Sequence, residues 1–135
     1  MNKKNNYAAL IQQAKKHIKA FSILIKDIEY ERKGILYSEM FFLYLSALNV
    51  KPDRIIESGR ARGQSTLILS KMFPAAKIIS IEYDQNSEDV EISKKRLSKC
   101  KNVQLLFGDA TILFPKILKN GKNDMDPCQL TVALD

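Results

Sequence analysis

The feature that most constrains this chain is a regular alternation that begins at Lys51. Short strand-like runs, the β-branched "DRIIES" and then "KIISIEY", "VQLLFGD" and "QLTVALD", are separated by segments of helical composition, "QSTLILSKMF", "SEDVEISKKRLSKC" and "ATILFPKILKN". Buried strands alternating with helices predict a parallel sheet, because right-handed crossovers place the helices on its faces. Pro74 closes the first of these helices and Gly121 the last. The expected fold is α/β, a Rossmann-like sheet of about four strands.

Ahead of that pattern, Leu10, Ala14, Ile18, Phe21, Leu24, Ile25 and Ile28 recur at steps of three and four, the spacing of one helix face. Gly34 interrupts it, and a second apolar helix follows through Met40, Phe41, Tyr44, Leu45 and Leu48. Residues 1–50 are therefore read as a helical extension and residues 51–135 as the sheet-bearing domain. His17, the single histidine, lies beside the first stripe with no nucleophile or carboxylate nearby, so it reads as a boundary residue rather than a base.

In an open parallel sheet, ligands bind at the carboxyl ends of the strands, near the point where strand order reverses. The first strand ends in "ESGRARGQST". Gly59 and Gly63 allow a sharp turn and a close backbone approach, and the next helix offers its amino-terminal N–H groups. Glu82 ends the second strand 23 residues after Gly59, near the ~20-residue spacing of an acid that binds ribose hydroxyls. Asp109 ends the third strand and Asp135 the fourth. Acids at one edge of a sheet in a shared register predict a common site. The glycines do not make the dinucleotide fingerprint GxGxxG, since Ala61 and Gln64 occupy its second and third glycine positions, so a pyrophosphate ligand fits poorly.

"IIESGRARGQST", "ISIEYD", "FGDA" and "VALD", in that order and spacing, resemble the first four motifs of class I methyltransferases, the Rossmann-like enzymes that use S-adenosylmethionine. The "ARGQST" form is most similar to small-molecule O-methyltransferases and the cephalosporin-hydroxylase-like group. The resemblance covers roughly Lys51 to Asp135. It implies that Glu57, Gly59, Ala61 and Gly63 lie along the methionine and ribose of the cofactor. It further implies that Glu82 binds ribose hydroxyls, that Asp109 contacts the adenine amine, and that Tyr83 lies against the adenine or fills the core. A cationic sulfonium suits a carboxylate-lined mouth better than it suits a phosphate cradle. Methyl transfer itself needs the nucleophile held in line, often with a base at hand.

Two departures qualify the resemblance. A middle glycine of the first motif is Ala61, flanked by Arg60 and Arg62, two cations that are unusual beside a cationic ligand; solvent exposure is the expected fate of both. The chain also stops at Asp135, whereas the family continues into strands that build the acceptor pocket. The implied function is thus the cofactor-binding portion of a methyltransferase acting on a small-molecule acceptor. No catalytic residue is assigned and no metal site is named. The alternative of another class is a non-catalytic nucleoside-binding or interaction module, associating through the open sheet edge at the fourth strand.

Composition narrows the partners. The net charge of +7 would favour anionic partners, yet the densest basic group, "SKKRLSKCK", follows Glu88, Asp89 and Glu91 in one helix, where acids first and bases last complement the helix dipole. No aromatic residues interleave with those bases, so nucleic acid is not expected. Cys100 and Cys128 form no metal motif or disulfide framework and read as free thiols. "ILYSEMFFLYLSALNV" is shorter than the ~20 residues of a membrane span and carries Glu39, and the N-terminus lacks a signal-peptide core, so a cytoplasmic chain with no membrane partner is expected.

Overall fold

A computed structural model describes residues 3–120. In chain order the elements are α1 (Lys3–Ile25), α2 (Tyr37–Ser46), β1 (Arg54–Ser58), α3 (Gln64–Met72), β2 (Lys77–Glu82), α4 (Glu88–Leu97), β3 (Val103–Phe107) and α5 (Ala110–Asn120). The strand read from "QLTVALD", together with Cys128, Asp135 and the helix stop at Gly121, lies outside the described residues.

The described strands form one parallel sheet in the order β1-β2-β3. Ile55 pairs with Ile78 and Glu57 with Ser80 across the first ladder, and Ile78 with Val103 and Glu82 with Phe107 across the second. This register brings Ser58, Glu82 and Phe107 to the same edge, so the turns after β1, β2 and β3 open on one side. The fold is the Rossmann-like α/β arrangement that the alternation implies.

The core explains why these segments take these forms. Ile55, Ile78, Ile68, Leu69 and Ala76 are buried in one cluster with Phe21, Ile28 and Met40, so β1, β2 and α3 share their apolar contacts with α1, α2 and the segment between those two helices. Phe21, Phe41 and Tyr44 add an aromatic group at ring-centroid distances of 5.4 to 6.4 Å, within the range where offset and tilted pairs are favourable. The first helix stripe is only partly covered: Phe21 is buried, whereas Ile18 is 49% exposed. His17 is half-buried and packs edge-on to Tyr44, the boundary position expected of it.

Asn102 fastens the far end of the sheet. Its amide donates to the carbonyls of Phe73 and Ala76 at 3.1 Å each, and its carbonyl accepts the Ser70 hydroxyl at 2.6 Å. The α3–β2 turn and the start of β3 are thereby held together, which fixes where α3 ends and where β2 begins its run towards the opposite edge.

Candidate functional site

At the carboxyl end of β1 the chain turns through Gly59 at φ +79°, Ala61 at φ +43° and Gly63 at φ +79°. Glycine meets these positive angles without a side-chain clash, while Ala61 is held in the left-handed region against its preference. The partner that holds it is Glu82. One oxygen of that carboxylate accepts the backbone N–H groups of Arg60 at 3.0 Å and Ala61 at 2.8 Å, and the other accepts the N–H of Tyr83 at 2.9 Å. Turn and carboxylate therefore form a single unit across two strand ends.

This unit forms the floor of an open cleft of about 940 Å³. Gly59, Arg60, Ala61 and Glu82 lie on the sheet side, Gln64 and Ser65 at the start of α3, Lys33, Gly34 and Ile35 on the connection before α2, and Ser38, Glu39, Phe42 and Leu43 on α2. A second, more open hollow is lined by Tyr83, Asp84, Gln85, Asn86 and Gly108, the residues that follow β2 and β3. Tyr83 is 75% exposed, so it presents a free ring there rather than filling the core.

The two arginines of the turn do not go where sequence reasoning expects. Arg60 is 2% exposed, not solvent-facing. Its guanidinium donates to the Ser80 carbonyl at 2.9 Å and the Ser93 hydroxyl at 3.3 Å, and lies 4.9 Å from the Phe107 ring centroid, a cation–π distance. Burial holds its pKa below the usual arginine value. Arg62 leaves the turn in another direction and pairs with Asp89 at 2.7 Å and Glu31 at 3.2 Å. The expectation failed because the partners are 20 to 33 residues away in sequence and come from β2, α4 and the α1–α2 connection.

Glu57 is buried outright, at 0% exposure, and does not line the cleft. Its carboxylate accepts hydroxyl bonds from Ser65, Thr66 and, at 2.7 Å, Ser80. Burial raises its pKa above the ordinary carboxylate value, against the lowering effect of those three hydroxyls and of Arg60. The residue thus ties β1, α3 and β2 together from within. Gly63 is likewise away from the cleft: it is the N-cap of α3, and a Cβ there would meet Leu97 Cδ1 at 3.1 Å and Ser93 Cβ at 3.3 Å. Asp109 caps α5, its carboxylate accepting the N–H of Thr111 at 2.8 Å and its hydroxyl at 2.6 Å, bonds that lower its pKa. Of the sequence-predicted residues, the structure brings Gly59, Ala61 and Glu82 together in the cleft and Tyr83 to the adjoining hollow.

Sequence reasoning missed Gln64. Its side chain, 1% exposed, donates to the Ile35 carbonyl at 2.8 Å and accepts the N–H of Glu31, so it clips the α1–α2 connection to the rim of the cleft. The signal was faint: a polar residue at the first position of a helix whose next two residues, Ser65 and Thr66, are polar as well. Among the described residues, no three His, Cys, Asp or Glu side chains gather as a metal site, and no helix is long and apolar enough to cross a membrane.

Known structures share this fold. The O-methyltransferase TomG from Streptomyces achromogenes, solved in complex with SAM, superposes with a TM-score of 0.61 at 17% identity, over 87% of this chain and 52% of that one. Cofactor-bound Rv0187 from MTB gives 0.57 at 21% identity, over 87% and 52%. The SAH-bound methyltransferase PaMTH1 of Podospora anserina gives 0.53 at 17%, over 86% and 54%. At such identities the likeness is one of fold, and the chain spans about half the length of these proteins. No curated protein matches the chain. A family model described as "Putative methyltransferase" matches residues 52–125, more than half of the sequence, and takes in the turn, Glu82, Asp109 and the helices between them. The chain belongs to this methyltransferase family.

Proposed function

We propose that the chain is the cofactor-binding portion of an S-adenosylmethionine-dependent methyltransferase that acts on a small-molecule acceptor. The observation that carries this reading is the Glu82 carboxylate, fixed in the cleft by amides from the glycine turn while both turn arginines are engaged elsewhere. A carboxylate has about four lone-pair sites, and three amides use three of them, which leaves room for a ribose hydroxyl. Two carboxylates, Glu39 and Glu82, line the cleft, which suits a ligand that bears a sulfonium and an ammonium.

On this reading the methionine end lies in the cleft over Gly59 and Ala61, and the adenine end lies in the hollow beside Tyr83 and Gly108, next to Asp109. Glu57 and Gly63 serve the cofactor through the shape of the turn rather than by touching it. When bound, S-adenosylmethionine supplies an electrophilic methyl group. What the chain contributes is position, since transfer depends on a nucleophile held in line at near-attack distance. The reading also treats residues 51–135 as the cofactor-binding part and residues 1–50 as an extension, in keeping with the span of the family match.

The test is an amide-resolved NMR titration of the whole chain with S-adenosylhomocysteine, with NADH in parallel. The reading expects the amides of residues 59–61, 82 and 83 to shift and saturate with S-adenosylhomocysteine and not with NADH. Shifts confined to other regions, or equal shifts with NADH, would contradict it.

A further inference from the structure

The connection between α1 and α2, residues 26–36, forms one wall of the cleft and is fastened in two different ways. Gln64, itself buried, holds it from below through neutral bonds to the backbone of Glu31 and Ile35, and Gly34 lies so close that a Cβ there would come to 3.2 Å from the Gln64 side chain. Arg62 holds it from the side through charge. Nε of Arg62 donates to Asp89 Oδ1 on α4 at 2.7 Å, and Nη1 donates to Glu31 Oε2 on the connection at 3.2 Å. Lys33, also on the connection, reaches Asp89 Oδ2 at 3.4 Å. The turn itself is anchored to α4, because Arg96 donates to the Arg62 carbonyl at 3.0 Å.

The three charged groups at the centre of this network are partly exposed, at 24% for the Arg62 side chain, 15% for Glu31 and 27% for Asp89. Pairs of this kind lie within reach of salt, unlike the neutral Gln64 bonds. A planar guanidinium can engage two carboxylates at once in a fixed fork, which an ammonium cannot do with the same geometry. The residue that bridges the two acids also belongs to the turn that floors the cleft. Opening the wall and loosening the turn are therefore coupled through one side chain.

We propose that Arg62 is a positioning residue that latches the α1–α2 connection over the cleft, so that an ionic lock between the turn, the connection and α4 controls ligand passage. The lock itself is a property of the chain alone; its consequence for the cofactor rests on the reading given above.

The experiment has two arms on the full chain. In the first, hydrogen exchange of the ligand-free protein is followed across residues 28–36 for the wild type, Arg62→Ala, and the single-arm variants Glu31→Gln and Asp89→Asn, with Arg62→Lys as the conservative replacement. Losing the fork should speed exchange in that segment by roughly three- to tenfold, each single-arm variant and Arg62→Lys giving part of the effect. The wild type should show the same acceleration between about 0.01 M and about 1 M salt, where the screening length falls from roughly 30 Å to roughly 3 Å, while Arg62→Ala should show much less of it, since only the Lys33–Asp89 pair then ties the connection to α4 by charge. Unchanged exchange in Arg62→Ala, or salt-insensitive exchange in the wild type, overturns the lock. Should Arg62→Ala not fold, the two single-arm variants decide the same question. In the second arm, release of S-adenosylhomocysteine should be faster and less salt-dependent in Arg62→Ala than in the wild type. Release that keeps the wild-type rate and salt dependence overturns gating. Failure of the wild type to bind that ligand counts against the cofactor reading and the gating of it, while the exchange arm still decides the lock.

Discussion

Ala61 donates its backbone N–H to the Glu82 carboxylate at 2.8 Å while holding a φ of +43°. A non-glycine residue in the left-handed region costs on the order of 1–2 kcal/mol, and here a charge-assisted bond at the mouth of the cleft offsets that cost. The bond and the strain are two sides of one feature, and they make the turn sensitive to what stands at position 61.

Replacing Ala61 by Gly removes the strain but loosens the unfolded chain, so the two effects largely cancel, and Ala61→Gly should change stability by less than about 1 kcal/mol. Ala61→Val adds a β-branched side chain at a positive φ and should cost about 1–3 kcal/mol. Urea denaturation of the two variants beside the wild type checks both values, and an Ala61→Val protein as stable as the wild type would show that the turn takes another conformation.

Gly63 makes a second, independent demand. Its φ is +79°, and an added methyl would press on Leu97 and Ser93 of α4 at 3.1 and 3.3 Å. Gly63→Ala should therefore cost about 2–3 kcal/mol, the backbone strain together with a modest overpacking term. The same denaturation experiment reads it. Since the position faces α4 and not the cleft, any loss of ligand affinity in this variant should track its loss of stability.

Glu57 predicts a pH dependence. Burial raises its folded pKa above the ordinary value of 4.5, so the folded chain holds this proton more tightly than the unfolded chain does. Its contribution to stability is complete below that ordinary value and is lost as the pH rises through the folded value. Glu57→Gln carries no titrating group there, so the stability difference should move in favour of the variant as the pH is raised from about 4.5 to about 8. Glu31, Asp89 and Asp109, whose pKa values are lowered by their partners, act in the opposite direction on acidification, but they are common to both proteins and cancel in the difference. A difference that stays flat with pH would mean that Glu57 titrates normally.

The strand and helix order from Lys51 to Asn120 was legible because each element carries its own periodicity and its own stop. "RIIES", "KIISIE" and "VQLLF" are strands where the apolar runs placed them, and the acidic start and basic end of α4 match the dipole argument. That Glu82 and Asp109 end successive strands at one edge was also readable, while Asp135, the third acid of that expectation, lies outside the described residues. What each carboxylate does there was not, because that depends on neighbours distant in sequence. Glu57 is turned inward by three hydroxyls from α3 and β2, whereas Glu82 faces the cleft because the turn amides hold it there. Arg60 and Arg62 looked alike in sequence and differ entirely in fate, one beneath the sheet edge on Phe107 and one bridging Glu31 and Asp89.

The most direct test of the central claim is calorimetric titration of the folded chain and of Glu82→Ala with S-adenosylhomocysteine. The account predicts saturable one-to-one binding to the wild type and a loss of about 1–3 kcal/mol in the variant, from the missing ribose contact and the freed turn amides. Equal affinity in the two proteins, or no binding by a wild-type chain shown to be folded, would contradict it.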